Sequence, residues 1–319
     1  MPEHPIVFIV GPSGVGKSDA AFAAAQRLGG EIVSCDAMQV YREISVACDK
    51  PSLDMRKKIP HHMLDIVSVT QEFNAAVFRQ LALAAITDIR GRGKTPVVCG
   101  GSGMYVTFLL DGIFEASAKD EDLRQRLQEE IDEQGTPVLH GRLAALDPVA
   151  AAKIHPNDAK RIVRGLEVTL TVGRPLSDVQ KERRGLWGQT PIRMFGLNRP
   201  RKELYERVEA RVERMFEHGL VDEVRALSGM TLSHTACAII GIPEVTGYLK
   251  GEHDLARAKY LMKLNTRHYV KRQLTWFGRD KRIQWVNVGE GVVQDIIVGA
   301  VINRPEDRRA IDNRPYEIK

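Results

Sequence analysis

The apolar positions of this chain switch between two periods, and the switches lay out its elements. Ile6–Val10 is a short unbroken apolar run rich in β-branched residues, which predicts a strand buried in a parallel sheet. The alanine-rich stretch Asp19–Leu28 has strong helix propensity, so only a glycine-rich turn separates strand from helix. Glu31–Ser34 predicts a second strand and Thr95–Cys99 a third. Between them Asn74 caps a predicted helix over Ala75–Gly91, with Val77, Phe78, Leu81, Ala85 and Ile89 at helical spacing. Val46–His62, with its Asp49-Lys50-Pro51 and Pro60-His61-His62, reads as an irregular loop.

Strands then disappear. Helical stretches over Asp120–Gln134, Val138–Leu146, Ala159–Val172 and Ser177–Arg183 occupy residues 115–191 and read as an insertion into an α/β core. Arg193–Leu197 returns as a strand, and a long helix after Pro200 carries Leu204, Val208, Val212 and Met215 on one face. A second long helix spans Leu255–Phe277, Ile283–Val286 is a closing strand, and the polar tail Arg304–Lys319 is expected to fray. The organisation expected is a core begun by residues 1–114, interrupted by a helical insertion at 115–191, and completed by 192–319.

The turn after the first strand carries chemistry. Gly11-Pro12-Ser13-Gly14-Val15-Gly16-Lys17-Ser18 is G-x-x-x-x-G-K-S between a strand and a helix, the context in which backbone N–H groups cradle phosphate oxygens. The helix N-terminus and Lys17 add positive charge, and the Ser18 hydroxyl is of the kind that holds Mg²⁺. The fold expected is therefore α/β of the P-loop NTPase-like kind, a parallel sheet with helices on both faces. Asp36 lies just past the second strand, on the sheet edge where such folds place ligands. The third strand ends in Gly100-Gly101-Ser102-Gly103 instead of an aspartate, which argues against a motor-type NTPase. A small-molecule kinase and a transferase whose leaving group is a diphosphate both stay open.

Composition narrows the setting. In 319 residues, 46 Lys+Arg against 41 Asp+Glu leave a formal charge of +5, a lean toward polyanions. The four cysteines (Cys35, Cys48, Cys99, Cys237) show no C-x-x-C and read as reduced thiols, His61 and His62 lack metal spacing and read as structural, and no apolar run approaches the ~20 residues of a membrane span. A cytoplasmic monomer is expected. Two basic rows stand out. Arg207, Arg211 and Arg214 share a helical face, with pairing to Glu203, Glu206, Glu209, Glu213 and Glu217 of the same helix an equal alternative. Lys263, Arg267 and Lys271 stack at intervals of four with almost no acid among them, which predicts a ridge facing a polyanion.

Taken together, the motifs resemble one family. Gly11–Ser18, Asp36-Ala37-Met38-Gln39-Val40-Tyr41-Arg42, Asp49-Lys50-Pro51, Pro60–Asp65, Phe73–Arg79, Gly100–Tyr105, His155–Asp158, Arg161–Arg164 and Thr266–Phe277 occur in the order of the tRNA dimethylallyltransferase (tRNA isopentenyltransferase) family. The resemblance covers residues 5 to 286 and implies transfer of a dimethylallyl group from dimethylallyl diphosphate to N6 of the adenosine 3′ of a tRNA anticodon. By that resemblance Asp36 is the catalytic base, Ser13 lies near the reacting amine, and Lys17 and Arg211 stabilise the departing diphosphate held by residues 11–18, with Mg²⁺ on Ser18. The anticodon stem-loop would be gripped by Asp36, Ala37, Met38, Gln39, Ser102, Arg124, Lys160, Arg161, Ile162, Val163 and Arg164, with Arg267, Lys271 and Arg272 from the basic helix. Three departures are visible: Ala37 replaces a usual Ser, Ala47-Cys48-Asp49 a usual Gly-Thr-Ala, and Ile242-Pro243 a common aromatic-basic pair. A free-nucleotide (adenylate) isopentenyltransferase would share the loop and the aspartate without needing the insertion or the ridge.

Overall fold

The computed structural model describes residues 4–114, 120–289 and 293–302. In chain order its strands are β1 (Ile6–Val10), β2 (Glu31–Ser34), β3 (His61–His62), β4 (Pro96–Gly100), β5 (Ile192–Asn198) and β6 (Gln284–Asn287). The longer helices are α1 (Lys17–Leu28), α2 (Ala75–Gly91), α3 (Gly103–Asp111), α4 (Glu121–Gln134), α5 (Thr136–Leu146), α6 (Ala159–Val172), α7 (Arg201–Glu217), α8 (Leu220–Ala226), α9 (Ile242–Leu249), α10 (Leu255–Phe277) and α11 (Val293–Val301). The strands form one parallel sheet in the order β3-β2-β4-β1-β5-β6. This is the α/β architecture expected. Among the described residues, no helix is long and apolar enough to cross a membrane.

Strand order locates the site. From β1 the chain moves to β2 on one side, and from β4 it moves to β5 on the other, so the connections diverge at the β1–β4 pair. The crevice outside the carboxyl ends of such a pair is where open α/β sheets bind ligands. The registers Val10↔Gly100 and Ser34↔Cys99 bring the loops after β1, β2 and β4 to the same edge. Gly100 is required there, because a Cβ would collide with the Cys35 backbone.

Two compact units divide the chain. The first, residues 1–109 and 187–319, contains the sheet. Part of its core is Val7, Ile9, Phe195, Leu197, Leu204 and Val208, with Ile296 and Ile297 of α11 in the same cluster. The second, residues 110–186, is helical and has its own core of Leu127, Ile131, Leu139, Leu143, Ile162 and Leu166. Caps match local chemistry: Asn74 accepts from the Ala76 and Val77 N–H groups, and Asp120, Asp158 and Asp254 cap α4, α6 and α10.

Several expectations need correction. On α2 the inward face is Phe78, Ala82, Ile86 and Ile89, so Phe78 and Ile89 of the expected stripe are buried, whereas Val77 and Leu81 are 39% and 41% exposed. Val46–His62 is not wholly irregular. Ser52 caps a short helix over Leu53–Lys58, and His61–His62 adds an edge strand to β2, elements too short to carry a period. Helices α3, α8, α9 and α11 carried no expectation. The tail Arg304–Lys319 lies outside the described residues.

Glu31 opens β2 from a nearly closed position, 1% exposed, and Arg92, Lys94 and His62 all reach it. The Arg92 guanidinium, then Lys94 and His62, hold its carboxyl well below the usual range against the opposing cost of burial. His62 is thus structural, as expected, and His61 Nδ1 lies 2.7 Å from the Ile59 carbonyl.

Candidate active site

At the carboxyl edge of the sheet is a cavity of about 620 Å³. The glycine-rich loop forms one wall. Gly11, Gly14 and Gly16 adopt φ of 143°, 79° and 102°, a curl open to glycine at little cost. Two side chains from distant elements brace it, Arg207 Nε donating to the Gly14 carbonyl (2.8 Å) and Arg199 Nε to that of Val15 (3.2 Å), and within the loop Lys17 Nζ donates to that of Pro12 (2.7 Å). Gln273 of α10, 4% exposed, accepts the Ser13 N–H (2.8 Å) and donates to the Gly101 carbonyl (3.0 Å). One loop amide expected to face phosphate is therefore engaged internally. Gln273 ties the loop after β1 to the loop after β4.

The opposite walls carry the chemistry. Asp36 lines the cavity together with Ser13, Lys17 and Ser18, and its Oδ1 accepts the Met38 N–H (2.9 Å), an Asx turn that fixes the carboxylate just past β2. Ser102 Oγ accepts the Ala37 N–H (3.0 Å), so the segments after β2 and β4 are joined. Gln39 bonds the Ser34 hydroxyl (2.8 Å) and donates to the carbonyls of Cys48 (3.2 Å) and Asp49 (3.4 Å).

Helix α7 supplies the cations and resolves the arginine alternatives. Arg207, Arg211 and Arg214 all line the cavity. Among the described residues none of the three forms an ion pair within its own helix: Arg207 holds the glycine-rich loop and Arg211 Nη1 meets Asp49 Oδ2 at 3.3 Å. The glutamates turn elsewhere, Glu203 to Arg199, Glu209 to Arg267, and Glu213 to Lys259 (2.7 Å) and Lys263 (2.5 Å).

Those pairs overturn the expected open ridge. Lys263 and Arg267 are neutralised by an acidic row on α7 with the matching spacing of four, and Arg267 also lies over the Tyr205 ring. Lys271 and Arg272, further along α10, are exposed, with Arg272 over Tyr269. The complementary spacing of Glu209 and Glu213 was the signal available in the sequence.

In the helical unit, Lys160 and Arg161 are exposed, with Arg161 3.4 Å from Asp158 of its own cap. Arg124 (2.9 Å) and Arg164 (2.7 Å) converge on buried Glu167. Ile162 is fully buried and Val163 packs beside it, so the expected contact of Ile162 with tRNA is corrected to a core role. An apolar residue on the inward stripe of α6 has no route to a ligand.

Electrostatics separates the titratable groups. Burial pulls the Lys17 ammonium down to about 8, with Cys99 and the Asp36 and Asp49 carboxylates opposing and Arg211 adding to the fall. Burial likewise raises Cys99 to about 11 and Cys35 and Cys48 well above the ordinary thiol range. These thiols stay protonated near neutral pH and offer no nucleophile.

Similarity to known proteins agrees with the geometry. The IPP transferase family profile matches residues 39–280. A tRNA dimethylallyltransferase of Geobacter metallireducens is 46% identical over 285 residues, covering 88% of this chain and 92% of the relative. One of Thermotoga maritima is 41% identical over 285 residues, covering 89% and 92%. Among solved structures, the full-length tRNA isopentenylpyrophosphate transferase of Bacillus halodurans superposes with a TM-score of 0.69 at 33% identity, over 96% of this chain and 97% of that one. A eukaryotic dimethylallyltransferase acting on tRNA gives 0.76 at 27% identity, over 94% and 80%. With these likenesses spanning nearly its whole length, the chain belongs to the tRNA dimethylallyltransferase family.

Proposed function

We propose that this enzyme transfers the dimethylallyl group of dimethylallyl diphosphate to N6 of the adenosine 3′ of the anticodon in tRNA, releasing diphosphate. The observation that carries the reading is one cavity in which the Asp36 carboxylate shares a wall-to-wall space with Lys17, Arg207, Arg211 and Arg214. A base and an anion clamp in one chamber fit a nucleophilic displacement. The N6 lone pair forms the new N–C bond as the C–O bond breaks, the electron pair leaves with the diphosphate, and the N6 proton passes to Asp36. Lys17 and the arginines oppose the charge that develops on the leaving group, where fixed dipoles and cations act most strongly. Ser13, which lines the same cavity as Asp36, would orient the amine.

The donor set also fits Mg²⁺. Among the described residues no three acids, histidines or cysteines form a closed metal cage. Ser18 and nearby carboxylates in the same cavity instead suit an ion that keeps water and takes substrate phosphate oxygens. Ser18 would hold it, and the ion would add Lewis-acid stabilisation of the leaving group.

For tRNA, the positions open to contact are Asp36 and Gln39 at the cavity, the half-buried Ala37, Met38 and Ser102, Lys271 and Arg272 on α10, and Lys160 and Arg161 in the helical unit. The target base must leave its stack to reach Asp36. We place the enzyme in the cytoplasm as a monomer. The test is transfer from labelled dimethylallyl diphosphate to an unmodified tRNA with adenosine after the anticodon, with Mg²⁺ present and AMP as a parallel acceptor. Label in tRNA that falls about 10²–10⁴-fold with Asp36→Asn is the expected result. Label in AMP alone would move the enzyme to the free-nucleotide class.

A further inference from the structure

The loop that carries Asp49 is held from outside the cavity. Glu223 of α8 places Oε2 on the N–H groups of Ser45 (2.6 Å) and Val46 (2.8 Å), and Oε1 on that of Ala47 (2.9 Å). Three successive N–H groups converging on one anion is the nest arrangement by which backbone binds anions, and here the anion is internal. Each bond is charge-assisted and therefore stronger than a neutral one. Glu223 itself does not line the cavity.

What the nest holds reaches the site two residues later. Asp49 has a left-handed φ of 48°, a conformation that persists in a non-glycine residue when its surroundings impose it. Gln39 grips the carbonyls on either side of the Cys48–Asp49 link, and Glu223 grips the amides before it. The Asp49 carboxylate then meets Arg211 Nη1. Arg211 Nε is buried and, among the described residues, has no hydrogen-bond partner. The direction of that guanidinium thus rests on Asp49.

We propose that Glu223 is a positioning residue for the diphosphate site: by holding the Ser45, Val46 and Ala47 amides it sets Asp49 against Arg211, and so orients the arginine that receives the leaving group. This rests on the reading of Arg211 as a diphosphate ligand given above. It also gives the acid at position 49 a role beside the cavity.

The test is calorimetric binding of inorganic pyrophosphate to the full-length protein, to Glu223→Gln, to Arg211→Ala and to the double variant. Glu223→Gln is expected to weaken binding about tenfold in the wild-type background, and less than about twofold when Arg211 is already absent, the non-additivity of residues acting in series. Hydrogen exchange at the Ser45, Val46 and Ala47 amides accelerates in the same variant while the sheet stays protected. Equal losses in both backgrounds, or wild-type affinity in Glu223→Gln, would overturn the proposal. Unchanged binding in Arg211→Ala would remove the donor-site reading itself, and the proposal with it. Glu223→Asp keeps the charge but is one methylene too short for all three amides. It shows the same pattern at smaller size and keeps the test available if the amide variant does not fold.

Discussion

At the residue scale the site turns on charges that are placed and charges that are perturbed. Asp36 is placed by its own Asx turn and by the Ser102–Ala37 bond, so its position depends on short-range chemistry after β2 and β4. Lys17 is perturbed: burial leaves it at about 8 in the free protein. A bound diphosphate favours the ammonium and raises that value, so binding above pH 8 must take up a proton. Pyrophosphate affinity is therefore expected to be highest below pH 8 and to fall by up to about tenfold per pH unit above it. Calorimetry in two buffers of different ionisation enthalpy measures this as proton uptake near pH 8.5, and Lys17→Met abolishes it. Both residues were legible in the sequence, because motif spacing and strand ends are local. Gln273 is not legible as a brace in the sequence: it sits 260 positions from Ser13, and only the packing of α10 against the glycine-rich loop makes it one.

At the element scale, α7 shows how one helix serves three neighbours. Leu204, Val208, Val212 and Met215 face the core, Arg207, Arg211 and Arg214 face the cavity, and Glu209 and Glu213 face α10. The apolar face was visible from period alone. The division between the charged faces was not, since α7 mixes acids and bases at spacings that satisfy either intrahelical or interhelical pairing. On β2, Glu31 predicts a stability effect. Its partners Arg92 and Lys94 remain 40% and 44% exposed and can be rehydrated, so Glu31→Gln is expected to cost about 2 kcal/mol, near the worth of hydrogen bonds to a charged group. The folded carboxyl titrates below its unfolded value of about 4.3. Its contribution is therefore present above that value and is lost as pH falls through the folded one. Urea unfolding at pH 7 and pH 3 checks both points, with the gap between variant and wild type narrowing in acid.

At the scale of the whole molecule, the cavity belongs entirely to the unit made of residues 1–109 and 187–319. The helical unit leaves and rejoins the chain at neighbouring points, because the backbones of Leu110 and Gly185 touch. Replacing residues 112–184 with a short glycine linker is thus expected to leave pyrophosphate affinity within about threefold of wild type, while tRNA affinity falls by at least about tenfold. Calorimetry and filter binding would separate the two. Equal loss of both would show that the helical unit supports the donor site. Binding of tRNA by the intact enzyme is also expected to weaken linearly in log–log terms as salt rises, with a slope of about −0.7 to −0.9 per phosphate contact made by residues such as Lys160, Lys271 and Arg272.

The amino-acid sequence by itself determined the parallel α/β core, the strand–loop–helix carrying Lys17, the aspartate past β2 and the family. These depend on period, turn chemistry and motif order, all of which act over a few residues. Tertiary structure alone decided which cations are free. The ridge at Lys263 and Arg267 became an interhelical ladder, Ile162 went into a core, and Arg211 came to rest on Asp49 under the hold of Glu223. A charge has no period of its own to read: its partner is set by which elements pack side by side, and burial then decides whether the pair or the open site is the more stable arrangement.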